Sequence, residues 1–204
     1  TARVGDLQGQ ARVRIVPPLP WSFTFDKLDQ PPITWVGAKF RHVIREVDGN
    51  KAMVKVTTIP KGARSRCWFG SSDLSDYTIE ADVRGAITDS KMPDIGLIAQ
   101  GSAIDLQGAA QKLQIRSWAP MLRMATTIDF PWQPDVWYVM KFRAENKNGK
   151  AHLYGKVWPR GEEEPAEWTI EAVDDAPNKT GSPGLFGNAK DAEIALDNIK
   201  VSSN

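Results

Sequence analysis

The chain holds one cysteine, Cys67, two histidines, His42 and His152, and no marked excess of charge of either sign. One cysteine excludes an internal disulfide and any multi-cysteine metal site. Cys67, flanked by Arg66 and Trp68, reads either as a small core filler or as a reactive thiol. The two histidines fall in different segments without ligand-spaced partners, which argues against zinc. A net charge of +1 lacks the clustered basic excess of a nucleic-acid footprint. No apolar run approaches the roughly 18 residues of a membrane span, and the first residues do not read as a signal peptide. There is no phosphate-binding glycine loop, and "GSPG" at 181–184 lacks the full nucleophile-elbow pattern, leaving Ser182 without an evident base. Sustained 3.6-residue periodicity is also missing.

Tryptophan, proline and glycine are plentiful: 8, 14 and 16 residues respectively. Abundant Pro and Gly cut a chain into short segments and disfavour long helices. Period-2 alternation predicts strands over 21–26, 40–47, 51–58, 64–70, 76–85, 94–100, 111–118, 121–128, 136–146, 150–158 and 192–201. Asp48-Gly49-Asn50 and Asn148-Gly149 lie between neighbouring segments as hairpin turns. This spacing predicts an all-β, two-sheet antiparallel sandwich or jelly roll. Residues 1–16 read as an arm or the last strand of an upstream domain, with Val13 and Ile15 alternating. Prolines 17, 18 and 20 form a stiff linker to a main domain over 21–204. An ordinary edge strand of the main domain is the competing reading of the arm. The acidic "RGEEEPAE" at 160–167 reads as a solvated loop.

Alternation also divides each strand into an inner and an outer face. Cys67 and Phe69 face in, with Tyr77, Ile79, Ala81, Val83, Leu113, Ile115, Tyr138, Met140, Phe142, Leu153 and Val157. Leu122 and Met124 are expected to oppose Arg123. The outward set mixes tryptophan with arginine, glutamine and carboxylates. Its candidate ligand-binding members are Arg66, Trp68, Asp82, Arg84, Gln100, Gln114, Arg116, Trp118 and Arg123, with Trp118 and Trp68 as stacking platforms. Planar rings beside forked donors and acceptors suit a sugar, whose C–H face stacks and whose hydroxyls need polar partners. Cover by a loop or a partner protein explains the same composition.

Several phrases in order ("WSFTFD", "DYTIEADVRG", "VWYVMKFRAENKNGKAHLYGKVWP", "GEEEPAEW" and "PGLFGNAKDAEIALDNIKV") resemble the concanavalin A-like lectin/glucanase, laminin G-like jelly roll. From "RVRIVPPLPW" onward the chain resembles the C-terminal domain of bacterial PQQ-binding-like β-propeller repeat proteins. That resemblance implies two antiparallel sheets with a curved outer groove. It also implies a parent on the periplasmic, cell-surface or secreted side, in which the arm ends a preceding propeller or Ig-like segment. The chain carries no propeller repeats, so no quinone is assigned to it. The expected function is a non-catalytic accessory module that binds a glycan or polysaccharide. A structural assembly module and a glycoside hydrolase-like enzyme are the alternatives.

Family 16 glycoside hydrolases of this fold carry a pattern that "EADVRG" resembles. Glu80 and Asp82 match its first two carboxylates, but Arg84 and Gly85 stand where a third would be. Retaining hydrolysis needs a nucleophile and a separate proton donor about 5–5.5 Å apart. Nearby Arg84 favours ionisation of both carboxyls and leaves no proton donor. A last reading concerns "LDNIKV", where apolar spacing shifts from Ala192, Ile194, Leu196 to Ile199, Val201. Asp197-Asn198 marks a bulge, and Asp197 with Asp26 and Asp48 forms a candidate structural Ca2+ site. Capping of the bulge by Asp197 is the alternative.

Overall fold

The computed structural model describes residues 2–10, 15–55, 64–117, 121–189 and 192–204. The described residues form sixteen strands and no α-helix. A two-stranded hairpin, β1 (Ala2–Val4) and β2 (Leu7–Gly9), pairs only with itself in the sheet order, and its described side chains are exposed. Ile15 is exposed, and Val13 lies outside the described residues.

The body is a sandwich of two antiparallel sheets. The six-stranded sheet runs β11 (Ala125–Asp129), β10 (Lys112–Ser117), β9 (Ser102–Gln107), β8 (Asp94–Ala99), β15 (Gly184–Asn188), β6 (Arg64–Trp68). The eight-stranded sheet runs β14 (Ile170–Asp174), β13 (Lys150–Pro159), β12 (Trp137–Lys147), β7 (Tyr77–Gly85), β16 (Ile194–Ser203), β5 (Asn50–Lys55), β4 (His42–Val47), with β3 (Trp21–Phe23) also paired to β16. Consecutive strands β7 and β8 lie in opposite sheets, as do β11 and β12, so the chain crosses the core repeatedly.

The two inner faces meet in a single large core. Tyr77, Ile79, Ala81 and Val83 of β7 are fully buried, as are Ile95, Leu97, Ile104, Leu106, Leu113 and Ile115 from the other sheet. Each large aliphatic side chain buried there stabilises the fold by about 1.5–3 kcal/mol. Phe23, Trp35 and Phe69 close one end, with Trp35 stacked on Phe69 at 4.4 Å. Cys67 is completely buried in this core and its thiol is pushed up to about 12 by desolvation, so it is inert packing. His42 is buried with Nδ1–H donated to the Ala38 carbonyl at 3.1 Å, and burial pulls it down to about 4.

The shift in rhythm at "LDNIKV" is a bulge. Asp197 pairs with Asp82 and Lys200 with Glu80, so β16 advances three residues while β7 advances two. Asn198 takes the left-handed conformation, with φ of 48°. The bulge is where β16 exchanges neighbours: Ile194–Leu196 pair with β5, and Ile199–Val201 with β3.

The expected pattern at 121–124 is revised. Leu122 is exposed, while Arg123 turns to the sandwich edge and donates Nη2–H to the buried Asp174 at 2.8 Å. The salt bridge with Asp174 and the bonds that the Arg123 and Met124 backbone N–H groups donate to Ser117 Oγ fix this corner.

Candidate functional site

The sandwich has two outer faces, and the nine candidate ligand residues are divided between them and the loops. Arg66, Trp68, Gln114 and Arg116 share the outer face of the six-stranded sheet. In one row Arg66 is paired with Phe186, then Gly96, Asp105, Gln114 and Thr127; in the next, Trp68, Gly184, Ile98, Ala103, Arg116 and Ala125. Trp68 packs with Ile98, Ala103 and Phe186 as a small apolar patch on that face. Arg116 lies across it, with its guanidinium 5.6 Å from the Phe186 ring centre. Gln114 donates to Thr127 Oγ1 at 2.9 Å.

Asp105 lies at the centre of this face and was not among the sequence candidates. It is 1% exposed and forms an ion pair through Oδ2 with Arg116, its diagonal neighbour on β10. Its Oδ1 is buried and accepts no hydrogen bond among the described residues. Gly96 makes room for it: a Cβ there would stand 2.6 Å from that oxygen. Desolvation pushes the Asp105 carboxyl up to about 7, against the pull of Arg116. In sequence, "SAIDLQ" has no clean alternation, since Ser102, Ala103, Ile104, Asp105 and Leu106 are all buried. The available signal was a lone acid within an apolar run.

Asp82 and Arg84 lie elsewhere, on the outer face of the eight-stranded sheet, because β7 belongs to that sheet. Asp82 accepts from Asn198 Nδ2 at 2.8 Å and from Arg160 at 3.5 Å. Arg84 bridges Asp48 at 3.3 Å and Asp135 at 2.9 Å. Gln100 is buried in the β8–β9 turn, where its Oε1 accepts from the Asp76 N–H. Arg123 is the edge anchor described above, and Trp118 lies outside the described residues.

The catalytic candidate Glu80 sits between Lys141 and Lys200, 3.1 Å from each. Both it and Asp82 are therefore engaged by cationic partners, Glu80 by two lysines and Asp82 by Arg160. The loop after β13 is exposed, as its acidic composition predicts, and is also fastened to the sheet through Glu164. Glu164 reaches Lys141 at 2.5 Å and Lys156 at 3.1 Å, and Lys156 also donates to the Pro165 and Ala166 carbonyls. Burial opposes ionisation of Glu164, but these two lysines outweigh it and hold the carboxyl below its ordinary range. Beside the loop, Trp168, Pro20, Trp21 and the row Lys141–Glu80–Lys200 enclose a trough of about 640 Å³. Trp158 is buried against Lys141, which lies 5.6 Å from its ring centre.

The three metal candidates also separate. Asp48 accepts from Trp137 Nε1 at 2.8 Å and pairs with Arg84. Asp197 is 1% exposed; Oδ2 accepts from Asn50 at 3.0 Å, and Oδ1 has no partner among the described residues. Desolvation raises its carboxyl, the Asn198 N–H opposes that, and the charges of Asp82 and Asp26 reinforce it. Among the described residues, no group of three or more His, Cys, Asp or Glu side chains is placed to hold a metal ion, so Asp26, Asp48 and Asp197 are not assembled into one site.

No protein-family model matches the sequence, and no curated protein matches it. Solved structures do match in three dimensions. The carbohydrate recognition domain of Emp47p aligns with a TM-score of 0.57 at 10% identity, over 90% of this chain and 95% of that one. Winged bean acidic lectin, complexed with methyl-α-D-galactose, gives 0.55 at 8%, over 90% and 98%. A glycoside hydrolase family protein from Mycobacterium thermorestibile gives 0.55 at 16%, over 89% and 99%. The fold is thus the concanavalin A-like jelly roll found in lectins and glycoside hydrolases. At these identities the likeness establishes the architecture alone. No helix among the described residues is long and apolar enough to cross a membrane.

Proposed function

We propose that the chain is a non-catalytic accessory module that binds carbohydrate on the outer face of the six-stranded sheet. The observation that carries this reading is the grouping there of Trp68 with Arg66, Gln114 and Arg116 around the Asp105–Arg116 pair. An apolar ring patch beside forked polar groups matches the two chemistries of a sugar ring. Lectins and glycoside hydrolases among the structural neighbours support the ligand class. Glu80 and Asp82 are neutralised by Lys141, Lys200 and Arg160, which favours binding over hydrolysis. The exposed β1–β2 hairpin and the proline segment suit an arm joining the module to a propeller or Ig-like neighbour outside the membrane.

Affinity electrophoresis through gels containing laminarin or galactan tests the reading. Retardation by either polysaccharide, with about tenfold weaker affinity in Trp68→Ala and Arg116→Ala, is expected from the loss of one stacking or charged anchor. Migration unaffected by every polysaccharide, or variants retarded like the parent, would overturn it. A reducing-sugar assay with Glu80→Gln as control should show no hydrolysis by either protein.

A further inference from the structure

The trough on the eight-stranded sheet carries more positive charge than its own residues balance. Its floor is two rows of side chains. In the first, Lys200, Glu80 and Lys141 stand side by side on β16, β7 and β12. In the second, Ser202, Thr78 and Arg143 occupy the same strands two residues along, about 7 Å away. Glu80 is shared by Lys200 and Lys141, and Glu164 by Lys141 and Lys156, so three ammonium groups meet two carboxylates. Lys200 is the open end of this series. Its side chain is 59% exposed, and Glu80 is its one ion-pair partner among the described residues. An ammonium has three N–H donors, so Lys200 can take a second acceptor without releasing Glu80.

The rest of the trough supplies polar and apolar contacts in the same space. Arg143 gives Nη2 to Glu145 at 3.3 Å, while its Nε–H has no acceptor among the described residues. Thr78 Oγ1 already donates to Asn204 at 2.8 Å and is left as an acceptor. Pro20 and Trp21 rise at the β16 flank, where β3 pairs, and half-buried Trp168 lines the β13 flank against Tyr154 at 5.5 Å. Lys156 steadies the Trp168 ring, 4.8 Å from its centre. The space, about 640 Å³, is of the size that small-molecule sites occupy, roughly 300–1,000 Å³.

We propose that this trough is a second ligand site, for a sugar acid: a hexuronate, free or at the end of a chain. Lys200 meets its carboxylate, Arg143 and Thr78 meet its hydroxyls and ring oxygen, and Trp168 covers its C–H face. A neutral sugar would fill the same space but leave the surplus ammonium unanswered, so charge selects the ligand. The site lies on the opposite side of the sandwich from Trp68 and Arg116, and it stands whether or not that face binds carbohydrate.

A residue-resolved resonance titration of the full chain with galacturonate, trigalacturonate and galactose tests this, at low and at high salt. Both acids should shift Thr78, Arg143, Trp168 and Ser202, and galactose should bind there about tenfold more weakly, the worth of one charge-assisted contact. High salt should narrow that gap. Lys200→Ala should weaken both acids about tenfold and leave galactose unchanged. Lys112→Ala, which removes an equal charge from the other sheet, should bind the acids as the parent does. Equal affinity for the two acids supports a free sugar acid, and preference for trigalacturonate supports a chain end. Galactose bound as tightly as galacturonate, Lys200→Ala binding the acids like the parent, or Lys112→Ala weakened as much as Lys200→Ala would each overturn the proposal. No shift in the trough with any of the three sugars would overturn it too, and would leave laminarin or galactan binding on the other face untouched.

Discussion

Each outer face of the sandwich carries an aspartate that is 1% exposed and has one oxygen without a donor among the described residues: Asp105 on the six-stranded sheet and Asp197 on the eight-stranded one. Desolvation raises both carboxyls. Their neighbours differ. Asp105 is paired with a half-buried arginine that lies over an aromatic ring, whereas Asp197 is bonded to Asn50 beside a bulge and repelled by Asp82 and Asp26. One aspartate is therefore paired with a side chain on the proposed binding face, and the other lies at the point where a strand exchanges partners. Around Asp197 the remaining charges are matched to one another: Glu80 with two lysines, Arg84 with two aspartates, Glu164 with two lysines. The difference teaches that two equally buried acids can take different parts in one fold, according to what each is paired with.

The comparison is most sharply broken at Gly96. Gly96→Ala would drive a methyl group against Asp105 and the β9 backbone, and a loss of about 3 kcal/mol or more is expected in urea unfolding. Asp105→Asn should act in the opposite sense, gaining about 1–3 kcal/mol at pH 8, because desolvation makes the ionised carboxyl costlier in the folded chain than in the unfolded one. The sign with pH follows from linkage. A carboxyl raised in the folded state binds more protons folded than unfolded, so stability falls as pH rises from about 4 to about 7. Asp105→Asn should flatten that slope and gain nothing at pH 4. Asp197→Asn should gain in the same direction at pH 8, without altering retardation on any polysaccharide.

Smaller effects are expected where charges are matched. Lys156→Ala leaves the Pro165 and Ala166 carbonyls without their donor and should lower stability by about 1–2 kcal/mol, again without affecting glycan binding. Lys200→Ala removes one exposed partner of Glu80 and should change stability by less than about 0.5 kcal/mol, an effect abolished by high salt.

Much of the architecture was legible in the sequence because alternation separates inside from outside. Tyr77, Ile79, Ala81 and Val83 face the core as their spacing demands, and the spacing at Asp197-Asn198 announces the bulge. Strands with both faces covered were hidden: β9 contains a buried acid, and β15 places Leu185 in the core and Phe186 under Arg116. The larger gap lay in the site. A sandwich has two outsides, and period 2 cannot tell which one a residue faces. Arg66 and Arg84 read alike in sequence, yet β6 and β7 belong to opposite sheets. Only the chain crossing between them separates the Trp68–Arg116 group from the Glu80–Asp82 group.

The central claim, that carbohydrate binds the six-stranded face, is tested most directly by a residue-resolved resonance titration of the full chain with soluble laminarin and galactan oligosaccharides at pH 8. The account predicts shifts concentrated at Arg66, Trp68, Ile98, Ala103, Gln114, Arg116 and Phe186, with β7, β12 and β13 silent. Shifts centred on Lys141, Glu80 and Lys200, or no shifts with any oligosaccharide, would contradict it.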